Sequence, residues 1–376
     1  MKKYQNDLAS MLRSFKSKNP KTYWDYINTK KKSTKNEKQP SCEEFADMFK
    51  NLGSNVNDQD NDESLPVNFF NYIDVHMYLR DYSALDNLIT YNEVKDTINN
   101  LKSKKAHGLD LIVNEFFKNA PNKLIHVITK IFNLVLETGI IPSAWTIGAI
   151  RPIYKNKGDM NNPNNYRGIT ILSCFGKLFT CILNKRLGTF LDQYDIIGAE
   201  QTGFRKGFST IDNVFTLYGI VDVLLSKHKR LYCGFLDYEK AFDKIDRAML
   251  WHKLFEENVC GKMINVVRNM YANGKSCVMV NNDISDMFKV EVGVRQGENL
   301  SPVLFSLYLN DMNTYLKDKM NGLKTISDEL VNCNMNFEEI DVFLKLFILL
   351  YADDTIIFAE NAKDLQKRSV LCKGLL

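Results

Sequence analysis

The sequence predicts an α+β fold, and three observations carry that expectation. Apolar residues recur at helical spacing, as at Val94, Ile98 and Leu101 and again from Leu124 to Val135. Two short apolar runs end in acid: Leu231–Leu236 leads to Asp237, and Phe347–Tyr351 leads to Asp353 and Asp354. Residues 276–292 alternate like a hairpin turning at Asn282-Asp283.

The chain has 376 residues, room for two or three packed subdomains. Its 45% hydrophobic content marks a globular protein. Eight cysteines are scattered, with no Cys-x-x-Cys pair and no histidine at zinc-finger spacing. That argues against a zinc site and fits reduced thiols in the nucleus or cytoplasm. The opening MKKYQNDLASMLRSFK has no signal-peptide core, and no run of about 18 apolar residues exists to span a membrane. An intracellular protein is expected. Net charge is only +4 but unevenly placed. Residues 1–40 hold eleven Lys/Arg against three Asp/Glu, and residues 41–89 hold two against ten. Clustered cations permit polyanion binding at a modest total charge.

In chain order, residues 1–28 carry a broken helical stripe, and residues 30–38 form a basic linker that either touches phosphates or is merely solvated. Residues 41–52 read as a short amphipathic helix and 53–65 as a mobile loop. Thr90 to Glu93 has capping-box spacing. A helix is expected from Asn122 to Glu137, stopped by Gly139, with an extended segment starting at Pro142. Residues 147–155 alternate like a strand. Lys155, Lys157 and Arg167 then lie on or beside a hairpin that leads into helix Ser173–Phe190. Gln201 to Thr210 is a basic loop whose two glycines let the backbone approach a ligand or strand closely. It precedes helix Ile211–Leu225, capped by Ser209 or Thr210. A helix from Ala241 to Glu256 follows the strand ending in Asp237, with Asp243 and Asp246 read as capping or surface charges. Ser301 and Pro302 open a helix reaching Tyr315, with Ser301 as N-cap. Residues 317–343 are a polar connection.

The Asp353-Asp354 pair, read alone, is either an ordinary solvated turn or a cation site. Adjacent carboxylates at a hairpin tip repel, and hard divalent cations prefer carboxylate oxygens. If the two acid-ended strands pair, Asp237 joins them at one sheet edge. Two ions about 3.5–4 Å apart could then clamp the attacking hydroxyl and leaving group of a nucleotidyl transfer. From Arg151 to Arg186 seven basic residues face one acidic, either a solvated face or cations for a phosphate chain.

Five stretches occur in order over about residues 90–360: Arg151-Pro152-Ile153-Tyr154-Lys155 with Asn165 to Ile169; Gln201 to Gly207 with Ser209-Thr210; Phe235-Leu236-Asp237 with Lys240 to Asp243; Gly293 to Gly297 with Leu300-Ser301-Pro302; and Tyr351-Ala352-Asp353-Asp354. In these the sequence resembles the reverse transcriptase domain of non-LTR, LINE-like (jockey/CR1/RTE-type) retrotransposons. The resemblance implies a right-hand polymerase, with fingers over 90–230, an incomplete palm over 231–376 built on an antiparallel sheet packed on helices, and a reverse transcriptase domain over about 134–376. It implies an RNA template, a DNA primer, dNTPs and two Mg²⁺ ions, with Mn²⁺ as a substitute. Asp237 and Asp353 would be the principal metal ligands and Asp354 the accessory carboxylate. Phe242 would be the aromatic that excludes a 2′-hydroxyl, unless it is a core residue. Gln296 and Gly297 would shape the nucleotide pocket, and Arg167 with Lys155 or Lys157 would grip the triphosphate. Arg205, Lys206 and Arg295 would touch template or primer. Gly108-Leu109-Asp110-Leu111 departs from the usual Gly-Pro-Asp-Gly loop, and Glu298-Asn299 from the usual Asp/Cys-Pro type pair. The family continues into a thumb where this sequence stops, so the expectation is a thumb-less element without the upstream endonuclease. A catalytically dead nucleic-acid-binding remnant is the alternative. An RNA-dependent RNA polymerase is disfavoured by Phe242 and the Tyr-Ala-Asp-Asp turn, and a metal-dependent nuclease by the ordered fingers motifs.

Overall fold

The computed structural model describes residues 39–54, 83–226, 228, 230–259, 261–281, 283–319, 348–359 and 361–373. The expectations for 1–28, 30–38, most of 53–65 and most of 317–343 lie outside them. The chain divides into two compact units. The smaller holds 39–41 and 154–166 among its described residues. In it the Lys155 N–H donates to the Asn165 carbonyl (2.9 Å), and the Tyr166 hydroxyl to the Met160 carbonyl (2.9 Å).

The elements run α1 (Cys42–Gly53), α2 (Ser83–Asp86), α3 (Tyr91–Asn99), α4 (Asn114–Lys118), α5 (Asn122–Thr138), α6 (Ser143–Thr146), β1 (Ile147–Tyr154), β2 (Tyr166–Ile171), α7 (Cys174–Gln193) and α8 (Thr210–Ser226). They continue β3 (Tyr232–Leu236), α9 (Arg247–Glu256), α10 (Gly261–Ala272), β4 (Lys275–Val280), β5 (Asp283–Ile284), β6 (Phe288–Lys289), α11 (Ser301–Tyr308), α12 (Met312–Lys319), β7 (Ile348–Tyr351), β8 (Asp354–Ala359) and α13 (Ala362–Lys373). Two sheets result. One has the order β2-β1-β4-β5 with β6 also on β4, and β1 runs parallel to β4. The other, β3-β8-β7, is antiparallel throughout. The mixed architecture is the α+β expected. Among the described residues no helix is long and apolar enough to cross a membrane.

Several elements follow their sequence signals closely. Thr90 and Glu93 close a capping box on α3, and α5 stops at Gly139. Glu93 also takes the Arg186 Nε at 2.7 Å, tying α7 to α3. Ser173 caps α7, which is buried on several faces through Leu178, Phe179, Ile182, Leu183 and Leu187. Its Phe179 and Phe175 close an aromatic box with Phe132 and Trp145, ring centroids 5.1–5.8 Å apart. Burial of Trp145 in that box explains the helical turn α6 where extended chain was expected after Pro142.

Other expectations are corrected. The helix expected from Ala241 is a 3-10 turn, Ala241–Asp243, followed by α9, because Asp246 caps the backbone N–H groups of Ala248 and Met249. Ser301 is not an N-cap. It lies inside α11, buried, with its Oγ 3.3 Å from the Tyr271 hydroxyl. The helix expected to reach Tyr315 breaks between α11 and α12. The single hairpin of 276–292 is two short strands, β5 and β6, both antiparallel to β4.

Candidate active site

The site grows from the end of the antiparallel sheet. β7 and β8 pair up to Tyr351↔Asp354, so the turn is Ala352-Asp353 and Asp354 opens β8. The turn was expected on both aspartates, and the shift has a physical cause: Ala352 takes the left-handed conformation, φ +59°. β3 lies on the other side of β8 with Leu236 opposite Thr355. One step further, the same register carries Asp237 to Asp354. All three expected carboxylates therefore share one sheet end.

Their electrostatics agree. The Asp353 carboxyl is pushed above its ordinary value, first by burial and then by the charges of Asp354 and Asp237, while Arg167 pulls it down. Asp237, Asp354 and Arg167 are exposed, and Asp353 is half-buried. Among the described residues, no group of three or more His, Cys, Asp or Glu side chains is placed to hold a metal ion. The donor set is nonetheless the hard, anionic kind that a divalent cation takes, and the mutual repulsion raising Asp353 is what such a cation would relieve.

Two loops complete the surroundings. Phe242 is half-buried, its ring stacked on Phe305 (4.6 Å, 13°) and edge-on to Phe204 (6.1 Å). Its carbonyl accepts from the Val294 N–H at 2.7 Å, which lashes the Phe242 segment to the Gly293–Gly297 loop. That loop is tied in turn to β2, where the Thr170 N–H donates to the Gln296 carbonyl at 2.8 Å. Gly297 is left-handed (φ +104°), and a Cβ there would stand 2.8 Å from the Thr170 carbonyl oxygen, so glycine is required.

Arg295 is a correction. It was expected on template or primer, yet it is 7% exposed, donates from Nη2 to the Thr146 and Met270 carbonyls, and lies over the Tyr271 ring. It props the loop from inside, next to the bond from the Tyr271 hydroxyl to Glu298 (3.0 Å). Burial and its neighbour Glu298 push the Tyr271 hydroxyl far above its ordinary range. Arg205 holds its own loop, donating to the Ile197 and Gly198 carbonyls and stacking over Phe208, while Lys206 is exposed. Lys155 and Lys157 belong to the smaller unit and are exposed there.

Sequence reading missed the support behind the turn. The stretch Glu200–Gly203 runs beside β7, with a parallel bridge between Gln201 and Leu350. The Leu350 N–H donates to the Glu200 carbonyl, and its carbonyl accepts from Thr202 and from the Asn213 side chain on α8. The Gln201 Oε1 accepts from the Ala352 N–H (3.1 Å) and the Gly203 N–H (2.9 Å). Gly203 was read as admitting a ligand, but what approaches it is the Ala352 backbone. Also missed was a cavity of about 440 Å³ lined by Lys102, Lys105, Arg151, Lys177, Ile169 and Gly297, with no carboxylate in its lining. Burial pulls the Lys177 ammonium below its ordinary value.

A family model described as reverse transcriptase (RNA-dependent DNA polymerase) matches residues 153–374. The probable RNA-directed DNA polymerase from transposon BS of Drosophila melanogaster is 30% identical over 234 residues, 60% of this chain and 25% of that protein. The corresponding protein of the X-element, from the same organism, is 29% identical over 58% of this chain and 24% of its own length. The RNA-directed DNA polymerase from its mobile element jockey is 28% identical over 75% of this chain and 29% of its own. This chain spans about a quarter of the length of these relatives. A solved telomerase from Candida tropicalis, in complex with a TWJ fragment of telomeric RNA, aligns with a TM-score of 0.41 and 14% identity over 66% of this chain and 41% of that one.

Proposed function

This chain belongs to the reverse transcriptase family, as a domain of the LINE-like, non-LTR retrotransposon kind, and from that premise we propose that it extends a DNA primer on an RNA template. In this reading residues 90–230 are fingers and 231–376 palm, and the protein works in the nucleus or cytoplasm. The observation that carries it is the gathering of Asp237, Asp353 and Asp354 at one sheet end, with Arg167 close enough to act on Asp353.

Asp237 and Asp353 would hold two Mg²⁺ ions, or Mn²⁺, with Asp354 as accessory, and the ions would supply Lewis acidity at the primer hydroxyl and the triphosphate. Arg167 neutralises triphosphate charge, with Lys155 or Lys157 as the companion that the resemblance implies. Phe242 presents its ring edge to the sugar and excludes a 2′-hydroxyl. Gln296 and Gly297 shape the nucleotide pocket from a loop pinned to β2. The cations of the Lys177 cavity take the phosphates of the RNA template, and Arg205 and Lys206 contact template or primer.

The test is addition of a single dNTP to a DNA primer annealed to RNA, with Mg²⁺ or EDTA, beside Asp353→Ala. Addition that needs Mg²⁺ and is lost by at least about 10³-fold in the variant is expected. Salt-sensitive binding with no addition would reduce the chain to a binding remnant, and equal addition by both proteins would remove Asp353 from the chemistry.

A further inference from the structure

We infer that Gln201 is a positioning residue for the Ala352-Asp353 turn, and through it sets where the Asp353 carboxylate stands. The catalytic consequence rests on the reading proposed above; the positioning itself does not.

The argument starts from strain. Ala352 is a left-handed non-glycine residue, an unfavourable conformation that persists only when its surroundings enforce it. The β7-β8 ladder ends at Tyr351↔Asp354 and supplies no bond to the Ala352 N–H. Gln201 supplies it. Its side chain is 1% exposed, and Oε1 receives both the Ala352 N–H and the Gly203 N–H. One oxygen thus joins the turn to a loop that is itself bonded to β7 on both sides of Leu350.

The other half of the same amide sharpens the point. Gln201 Nε2 is buried and finds no hydrogen-bond partner among the described residues. An unpaired buried N–H group carries a desolvation cost that an apolar side chain of the same length would avoid. Glutamine at this position is therefore explained by its oxygen rather than by packing. Gly203 completes the fit, because any Cβ there would strike the Ala352 backbone. Phe204, also left-handed at φ +62°, then leaves the loop edge-on to Phe242. One short loop thus fixes the acid-bearing turn and touches the proposed sugar gate.

The experiment uses the full chain with Gln201→Leu and Gln201→Glu. Gln201→Leu removes the acceptor, while Gln201→Glu keeps an oxygen in place. Amide hydrogen exchange over residues 350–354 reads the turn directly. Binding of Mn²⁺ alone, followed by its paramagnetic broadening, reads the carboxylates without any need for turnover. In Gln201→Leu the Ala352 amide should exchange about tenfold faster or more while distant core amides are unchanged. Mn²⁺ should bind more weakly, and kcat should fall with the dNTP KM held. Gln201→Glu should restore most of the Ala352 protection. Unchanged exchange at Ala352 in Gln201→Leu overturns the inference, and so does faster exchange spread evenly through the core. Asp353→Asn, run in parallel, separates the two claims. If it binds Mn²⁺ as the unaltered chain does, the metal reading fails while the exchange result still decides Gln201.

Discussion

Phe242 shows how one side chain can answer to two descriptions. From sequence alone an aromatic five residues beyond a strand-ending acid was either core or gate. One face of the ring stacks on Phe305 inside the core, and the residue as a whole is half-buried, so the core role does not use up the ring. Removing it should therefore cost stability, up to about 3 kcal/mol for a large buried aromatic, as well as selectivity. The ratio of NTP to dNTP addition cancels the folded fraction, so it isolates the second effect. Phe242→Ala should raise that ratio about tenfold or more. A ratio equal to that of the unaltered chain would leave Phe242 as core alone. Arg295 is the opposite case. A lone arginine in a glycine-punctuated loop reads as a nucleic-acid contact, and no local pattern marks the Thr146 and Met270 carbonyls that draw it inward.

At the scale of the element, the acid-tipped hairpin is built against its own charge. Without a cation the folded Asp353 carboxyl holds its proton more tightly than an unfolded one would, for reasons of burial first and neighbouring carboxylates second. Stability is then lost as pH rises from the ordinary carboxylate value of 3.8 through the raised folded value. Asp353→Asn should melt close to the unaltered chain near that lower limit and above it at neutral pH, both without metal. Saturating Mg²⁺ should reverse the neutral-pH order. Melting temperatures that differ equally at both pH values would show that charge is not the cause. The hairpin's strands were legible as apolar runs. Its turn was misplaced by one residue, because the left-handed state of Ala352 is imposed by Gln201, 151 positions away in sequence, and carries no local signal.

For the whole molecule, a net charge of +4 hides a division of labour. Acids stand at the end of one sheet, while Lys102, Lys105, Arg151 and Lys177 line a cavity beside the other. If single-stranded RNA occupies that cavity, removing Arg151 and Lys177 together should make the salt dependence of RNA binding shallower by about 0.7 in log K per log salt for each phosphate no longer neutralised. A weaker affinity with an unchanged slope would point to damage elsewhere. The order of the motifs was legible because each is local. The cavity was not, because its cations come from the loop after α3, from β1 and from α7, which only the fold brings together. The same long reach shapes how the protein is made. β3 and β8 pair between residues about 120 positions apart, so the strand before Asp237 has no partner when it leaves the ribosome. Every nascent chain shorter than Ala359 carries an aspartate without a site. The three carboxylates can meet only once β8 has been made, so the sheet end assembles in one step rather than residue by residue.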